Sequence, residues 1–283
     1  MTDMPPAANA EQIEYWNSAV GDTWARMQER LDRSFTPLTA ALLAIAAPQA
    51  GEHVLDIGCG TGEVSLATAG AVGEEGTVLG IDISDAMLSR ARERADELLS
   101  DAEFRNADAA TFADETGFDL LISRFGVMFF ADPVAAFANL HARTAEGGRL
   151  AFACWQDAGA NPWATLPMAV LADLLPAMPP IDPSAPGPFA FADPEIVAAI
   201  LTAAGWQDVA FHACPFAMLT GSGDDPVADA VTFSLRIGPA ARAVRDAGVG
   251  DIARVRLAEA LAAYRSDGGV ALPAQAWLVT AHA

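Results

Sequence analysis

The stretch Val54-Leu55-Asp56-Ile57-Gly58-Cys59-Gly60-Thr61-Gly62 decides how the rest of the chain is read. A short apolar run carries an acid near its end, and glycine then alternates with other residues until a helical pattern opens at Glu63. A strand that runs through such a turn into a helix lets a ligand come close to the backbone, because a Cβ at Gly58, Gly60 or Gly62 would occupy that space. The next apolar run, over 77–82, ends in Asp82. An acid about 20 residues beyond the loop stands where a ribose diol is read. Loop and acid together specify a nucleoside-containing ligand.

A dinucleotide fingerprint, Gly-x-Gly-x-x-Gly, would put its third glycine at position 63, where this chain has Glu63. A carboxylate at that helix N-terminus would face a pyrophosphate, which works against NAD. A ligand with a ribose and no phosphate is easier to accommodate. S-adenosylmethionine is one, and its sulfonium suits an acidic site with aromatic walls.

Outward from the loop, short apolar runs alternate with amphipathic segments. Strands are predicted over 53–58, 77–82, 103–108, 118–124 and 149–155, with helices over 63–72, 84–99 and 133–144. That alternation implies βαβ units and a doubly wound, mostly parallel sheet. Asp132-Pro133 and Asp193-Pro194 each pair an N-cap acid with proline at the first helical position, so both acids are read as caps. Gly147 and Gly148 are expected to close the first of these helices. The segment 11–47 reads as helical, broken by Pro37 and Pro48. Residues 161–191, crowded with proline, read as a cap with a helix over 165–175. A strand over 209–219, helices within 227–264 and a last strand over 276–281 complete the chain. The expected organisation is a single domain over 1–283: an N-terminal helical lid (1–50), a cofactor-binding core (51–157), a cap insertion (158–192) and a C-terminal part of the sheet with helices (193–283).

The motifs Val-Leu-Asp-Ile-Gly-Cys-Gly-Thr-Gly (54–62), Gly-Ile-Asp-Ile-Ser (80–84), Asn-Ala-Asp-Ala-Ala (106–110) and Ser-Arg-Phe-Gly-Val-Met-Phe-Phe-Ala-Asp-Pro (123–133) resemble the class I S-adenosylmethionine-dependent methyltransferases. The likeness is to the methyltransferase type 11 and ubiquinone/menaquinone group, over about residues 51–156. The resemblance implies a seven-stranded Rossmann-like sheet with its last strand antiparallel. It further implies that Gly58, Cys59 and Gly60 line the methionine moiety through their backbone, that Gly62 also belongs to the cofactor-binding set, and that Asp56 braces the loop or reaches the amino group. Asp82 would hold the ribose, Ile83 and Met87 would face the adenine, and Asp108 and Ala109 would contact the adenine edge. Ser123 and Arg124 would lie beside the transferable methyl, and Trp16 and Trp24 would sit on a helix closing over the cofactor.

The alternatives are structural. Cys59 reads as a small residue in a tight loop and not as a nucleophile. Arg124, a long cation ending a buried strand, needs a partner: the cofactor carboxylate, an anionic acceptor, or a neighbouring acid in a salt bridge. Trp16 and Trp24 read equally as helix core. Phe125, Met128, Phe129 and Phe130 form either an acceptor wall or helix packing, and the same choice holds for Trp155, Asn161 and Trp163. None of the four histidines, His53, His141, His212 and His282, suits a general base, so no catalytic residue is assigned.

Composition bounds the partners. The 283 residues carry a formal net charge of −21 with a pI near 4.3, and every cationic side chain is Arg. Such a field repels phosphate backbones and anionic lipid, which argues against nucleic acid and membrane surfaces as partners. Cys59, Cys154 and Cys214 are too scattered for a disulfide framework or a zinc site, which fits a reducing cytoplasm, and no metal is expected. No basic region followed by an apolar one opens the chain, and no apolar run nears membrane-spanning length. The sequence sets no oligomeric state. The expected chemistry is methyl transfer to a small, largely apolar molecule by in-line displacement, with a noncatalytic S-adenosylmethionine-binding protein and an NAD-dependent oxidoreductase as rivals.

Overall fold

Strand β1 (His53–Ile57) is buried along nearly its whole length, as a parallel strand covered on both faces must be. It pairs in parallel with β2 (Thr77–Asp82) on one side and β4 (Phe118–Arg124) on the other. The computed structural model describes residues 9–115, 117–176 and 185–283. Beyond β2 lies β3 (Glu103–Asn106), and beyond β4 lies β5 (Thr144–Trp155), both parallel. The order continues to β8 (Gly269–His282) and β6 (Gln207–Gly221), giving β3-β2-β1-β4-β5-β8-β6. β8 runs antiparallel to both of its neighbours, and a two-residue β7 (Arg265–Ser266) pairs only with β8. This is the doubly wound, mostly parallel sheet with an antiparallel last strand that the sequence implies, extended by the short β7 hairpin. The chain reverses its winding between β1 and β4, so the carboxyl ends of those strands open a crevice.

Helices cover the sheet. Before β1 come α1 (Ala10–Trp16), α2 (Ala19–Arg26) and α3 (Gln28–Ala46). The predicted break at Pro37 does not occur, since Pro37 lies inside α3, where Phe35, Leu38 and Leu42 are buried around it. The breaks fall earlier, at the N-cap Ser18, whose hydroxyl accepts from Val20 N, and at Met27. Helix α3 ends at Ala47, in left-handed conformation ahead of Pro48. Between the parallel strands lie α4 (Glu63–Val72), α5 (Asp85–Leu98) and α6 (Pro133–His141). Asp132 caps α6 by accepting from Ala135 N, and Asp193 caps α8 (Pro194–Ala203) by accepting from Glu195 N.

Gly147 and Gly148 do not close α6; they belong to β5, with Gly147 at φ +76° where the register against β4 shifts. In the cap segment, α7 (Pro162–Val170) stops short of the predicted end at 175 and gives way to turns over 171–174. Part of the predicted cap, 177–184, lies outside the described residues, as does most of the predicted leader. The C-terminal helices are α9 (Pro226–Ser234), α10 (Pro239–Ala247) and α11 (Gly250–Ala262). Among the described residues no helix is long and apolar enough to cross a membrane.

Candidate active site

At the carboxyl ends of β1, β2 and β4 the glycine loop borders a cavity of about 530 Å³, within the range of small-molecule sites. The three loop glycines serve different ends. Gly58 (φ +64°) lies against Gly126, and a Cβ on it would fall 2.6 Å from Gly126 Cα. Gly62 (φ +83°) packs on Phe104, 2.8 Å from where its Cβ would be. Only Gly60 (φ +55°) has open space beside it, with Met87 Sδ nearest at 3.8 Å. The expectation that all three spare room for a ligand is thus corrected: two of them let backbone and ring pack. Gly58, Cys59 and Gly60 line the cavity and Gly62 does not.

Asp82 closes the loop onto the end of β2. Its Oδ2 accepts from Gly60 N and its Oδ1 from Ser84 N, each at 2.8 Å, and it borders the cavity. Burial raises its pKa against the pull of those backbone bonds. β3 stops at Asn106, short of the predicted 108, and Asp108 stands in the loop after it, its Oδ1 accepting from Asn9 Nδ2 (2.7 Å) and Ala110 N (2.9 Å). Ile83, Met87 and Ala109 complete that half of the wall.

Asp56 and Ser123 lie off the cavity. Asp56 is 1% exposed, accepts from Ser65 Oγ at 2.5 Å, and has its pKa raised to about 7 by burial, with Asp82 adding to the effect. It braces the loop from behind and does not border the cavity. Ser123 donates to Ile57 O at 2.7 Å and accepts from Gly126 N, locking β4 to the loop. Asn161 is also a brace: it donates to Asp157 O and Gln275 O and accepts from Gln275 N, tying the end of β5 to β8.

Arg124 lines the cavity and takes the salt-bridge alternative. Its guanidinium pairs with Glu63, donates to Thr39 Oγ1 at 2.6 Å and lies over the Phe35 ring at 5.2 Å. Burial raises the pKa of Glu63, Arg124 lowers it, and the facing Asp32 raises it again. Asp32 borders the cavity, accepts from Gln28 Nε2 (2.5 Å) and pairs with Arg94 (2.8 Å), and its buried Oδ1 has no hydrogen-bond partner. Arg94 also donates to Thr61 O in the glycine loop at 2.6 Å.

Trp16 and Trp24, in α1 and α2, meet edge to face at 5.6 Å, and Trp16 meets Phe129 likewise at 5.2 Å. All three border the cavity, as do Met128, Phe125, Trp155 and Trp163. Asp32, Phe35, Asn9 and Arg242, which border the cavity, and Arg94, which bonds the loop, carry no motif in the sequence; folding alone brings them there. Among the described residues no trio of His, Cys, Asp or Glu is placed to hold a metal, and no histidine borders the cavity.

Residues 48–169 match a family model described as a methyltransferase domain. Over these residues the chain is similar to a methyltransferase domain. Its relatives include the aklanonic acid methyltransferase of Streptomyces sp. (strain C5), 39% identical over 124 residues, which are 42% of this chain and 54% of the relative. The nocamycin O-methyltransferase of Saccharothrix syringae is 35% identical over 118 residues, 41% of this chain and 42% of the relative. The chain therefore spans about half the length of these relatives. In fold, it is similar to the phosphoethanolamine N-methyltransferase 2 of Haemonchus contortus in complex with S-adenosyl-L-methionine. That match has a TM-score of 0.55 at 14% identity and covers 99% of this chain and 60% of that one. The matched residues run from just before β1 into α7, so they hold the whole glycine loop and the ends of β2, β3 and β4.

Proposed function

We propose that the chain transfers a methyl group from S-adenosylmethionine to a small, largely apolar molecule. The observation that carries this reading is the Asp82 carboxylate, fastened to Gly60 N and Ser84 N while bordering the cavity. Each of its oxygens keeps acceptor capacity for a ribose hydroxyl. The residues fit the cofactor further along. Asp108 stands for the adenine edge beside Ile83, Met87 and Ala109. The unpartnered Asp32 Oδ1 and the paired Arg124 face the methionine end, where an ammonium and a carboxylate need opposite charges. Trp16 and Trp24 wall the sulfonium side. Glu63 and Asp32 near the loop oppose a pyrophosphate, which disfavours a dinucleotide.

When bound, S-adenosylmethionine supplies a methyl group made electrophilic by its sulfonium. An acceptor lone pair forms the new bond to that carbon as the carbon–sulfur bond breaks, with the electron pair staying on sulfur. An acceptor that is already anionic or otherwise nucleophilic needs no base, so no proton has to cross the closed site before the transfer. The chain's contribution is alignment and exclusion of water by its aromatic walls. The acceptors named for the relatives above support a small molecule, and the net charge of −21 argues against nucleic acid. Three free cysteines support a reducing, cytoplasmic setting.

Titration calorimetry tests the reading. S-adenosylhomocysteine should bind and NAD should not, and Asp82→Ala should weaken S-adenosylhomocysteine about 100-fold, the worth of two hydrogen bonds to a charged acceptor. Binding of NAD alone would overturn it. Binding of S-adenosylhomocysteine with no product from any acceptor in a metabolite panel would favour a sensor or carrier of the cofactor.

A further inference from the structure

Asn9 fastens the start of α1 to Asp108, and Gln12 lies one helical turn further along the same side, about 4.5 Å at the α-helical rise. Gln12 borders the cavity. Its amide oxygen is buried and has no hydrogen-bond partner among the described residues. A buried amide oxygen without a donor is costly, and native structures leave few of them. A glutamine that served only the helix would turn its amide to water, which α1, with no buried residue, has along its outer side.

The surroundings say which donor is missing. Ile83, Met87, Ala107 and Ala109 line the same cavity and can cover the faces of a flat base, but their side chains offer its edge no donor. Asp108, when ionised, only accepts, and its Oδ1 already takes Asn9 Nδ2 and Ala110 N. Adenine presents a donor, the N6 amino group, beside an acceptor, N7. A carboxylate can serve only the first. A glutamine amide serves both, its oxygen taking a proton of N6 and its nitrogen donating to N7.

We propose that Gln12 reads the base of the cofactor, its Oε1 accepting from the adenine N6 amino group and its Nε2 donating to N7, so that α1 selects adenine as well as covering it. This rests on the methyltransferase reading, which seats adenine beside Asp108. Asp108 and Gln12 then each take one proton of the amino group.

Titration calorimetry of the full chain with S-adenosylhomocysteine and its 7-deaza analogue, in which C–H replaces N7, tests it. An ionised Asp108 cannot sense that change, because it has no proton to give N7. The unaltered chain should bind the analogue about fivefold more weakly than the parent, the worth of one hydrogen bond. Gln12→Leu should weaken S-adenosylhomocysteine about tenfold and bind the two ligands equally. Gln12→Glu keeps the oxygen and lacks the donor, so it should also bind the two equally. Gln12 lies on a helix with no buried residue, so both variants should fold, and an unchanged urea midpoint without ligand checks that they do. Equal binding of parent and analogue to the unaltered chain, or a fivefold difference that persists in Gln12→Leu, would overturn the proposal while leaving the cofactor reading intact. Failure of S-adenosylhomocysteine to bind the unaltered chain would overturn both.

Discussion

Asp56 belongs to the glycine-loop motif and lies off the cavity that the motif borders. It is buried behind the loop, bonded to Ser65 Oγ at 2.5 Å, while its other oxygen has no partner. Burial lifts its pKa to about 7, so near neutrality the folded chain holds a proton there that the unfolded chain, with an aspartate near 3.9, has lost. The sign follows from linkage. The folded state binds more protons between those values, so stability falls as pH rises from about 4 to about 7, with a slope of up to about 1.4 kcal/mol per pH unit from this group. Asp56→Asn removes that proton exchange and keeps the shape. Urea midpoints measured from pH 5 to pH 8 should therefore fall less steeply in the variant than in the unaltered chain. Parallel pH profiles would show that Asp56 stays ionised throughout.

Among the elements, α1 is held over the cavity by its two ends and by little core. No residue within it is buried. Asn9 bridges Asp108 and Ala131 N, and Asn17 donates to Ile83 O at 2.7 Å while accepting from Asp85 N at 3.0 Å. Ser84 Oγ adds a bond to Trp16 O. All but the Ala131 tie, which lies after β4, end on the segments after β2 and β3, which the proposed function gives to ribose and adenine, so under that proposal opening the helix and releasing the cofactor are expected to be coupled. Asn17→Ala removes two bonds from an exposed site and should speed S-adenosylhomocysteine release several-fold in stopped-flow tryptophan fluorescence, with a smaller effect on association. An unchanged release rate would make α1 a static wall. Helicity before β1 was legible over 11–47, but the ties were not, because asparagine partners 66 and 99 positions away leave no mark in local sequence.

The parallel half of the molecule was readable because each strand and its turn carry their own signal: buried strands appear as apolar runs, the loop as positive-φ glycines, α6 and α8 as Asp-Pro caps. The antiparallel half was only partly so. β8 extends back to Gly269, well before the predicted 276, because Pro273 and Gln275 interrupt an alternation that pairing with β6 sustains. The site divides the same way, since Asp82 and Asp108 lie at or just past strand ends whereas Asp32 and Arg242 arrive from helices that depend on the finished sheet. Charge acts at this largest scale too. A net −21 makes the folded chain repel itself, while the ion pairs at its surface, such as Arg90–Glu97 and Arg256–Asp173, are screened by solvent and contribute little. Raising NaCl from 0.01 to 0.15 M shortens the screening length from about 30 Å to about 8 Å and weakens both effects. Repulsion sums over the whole surface and the pairs are few, so the melting temperature should rise by a few degrees across that range in scanning calorimetry. A fall would mean that the arginine pairs outweigh the repulsion, and that the acidic excess lies too far apart on the folded surface to matter.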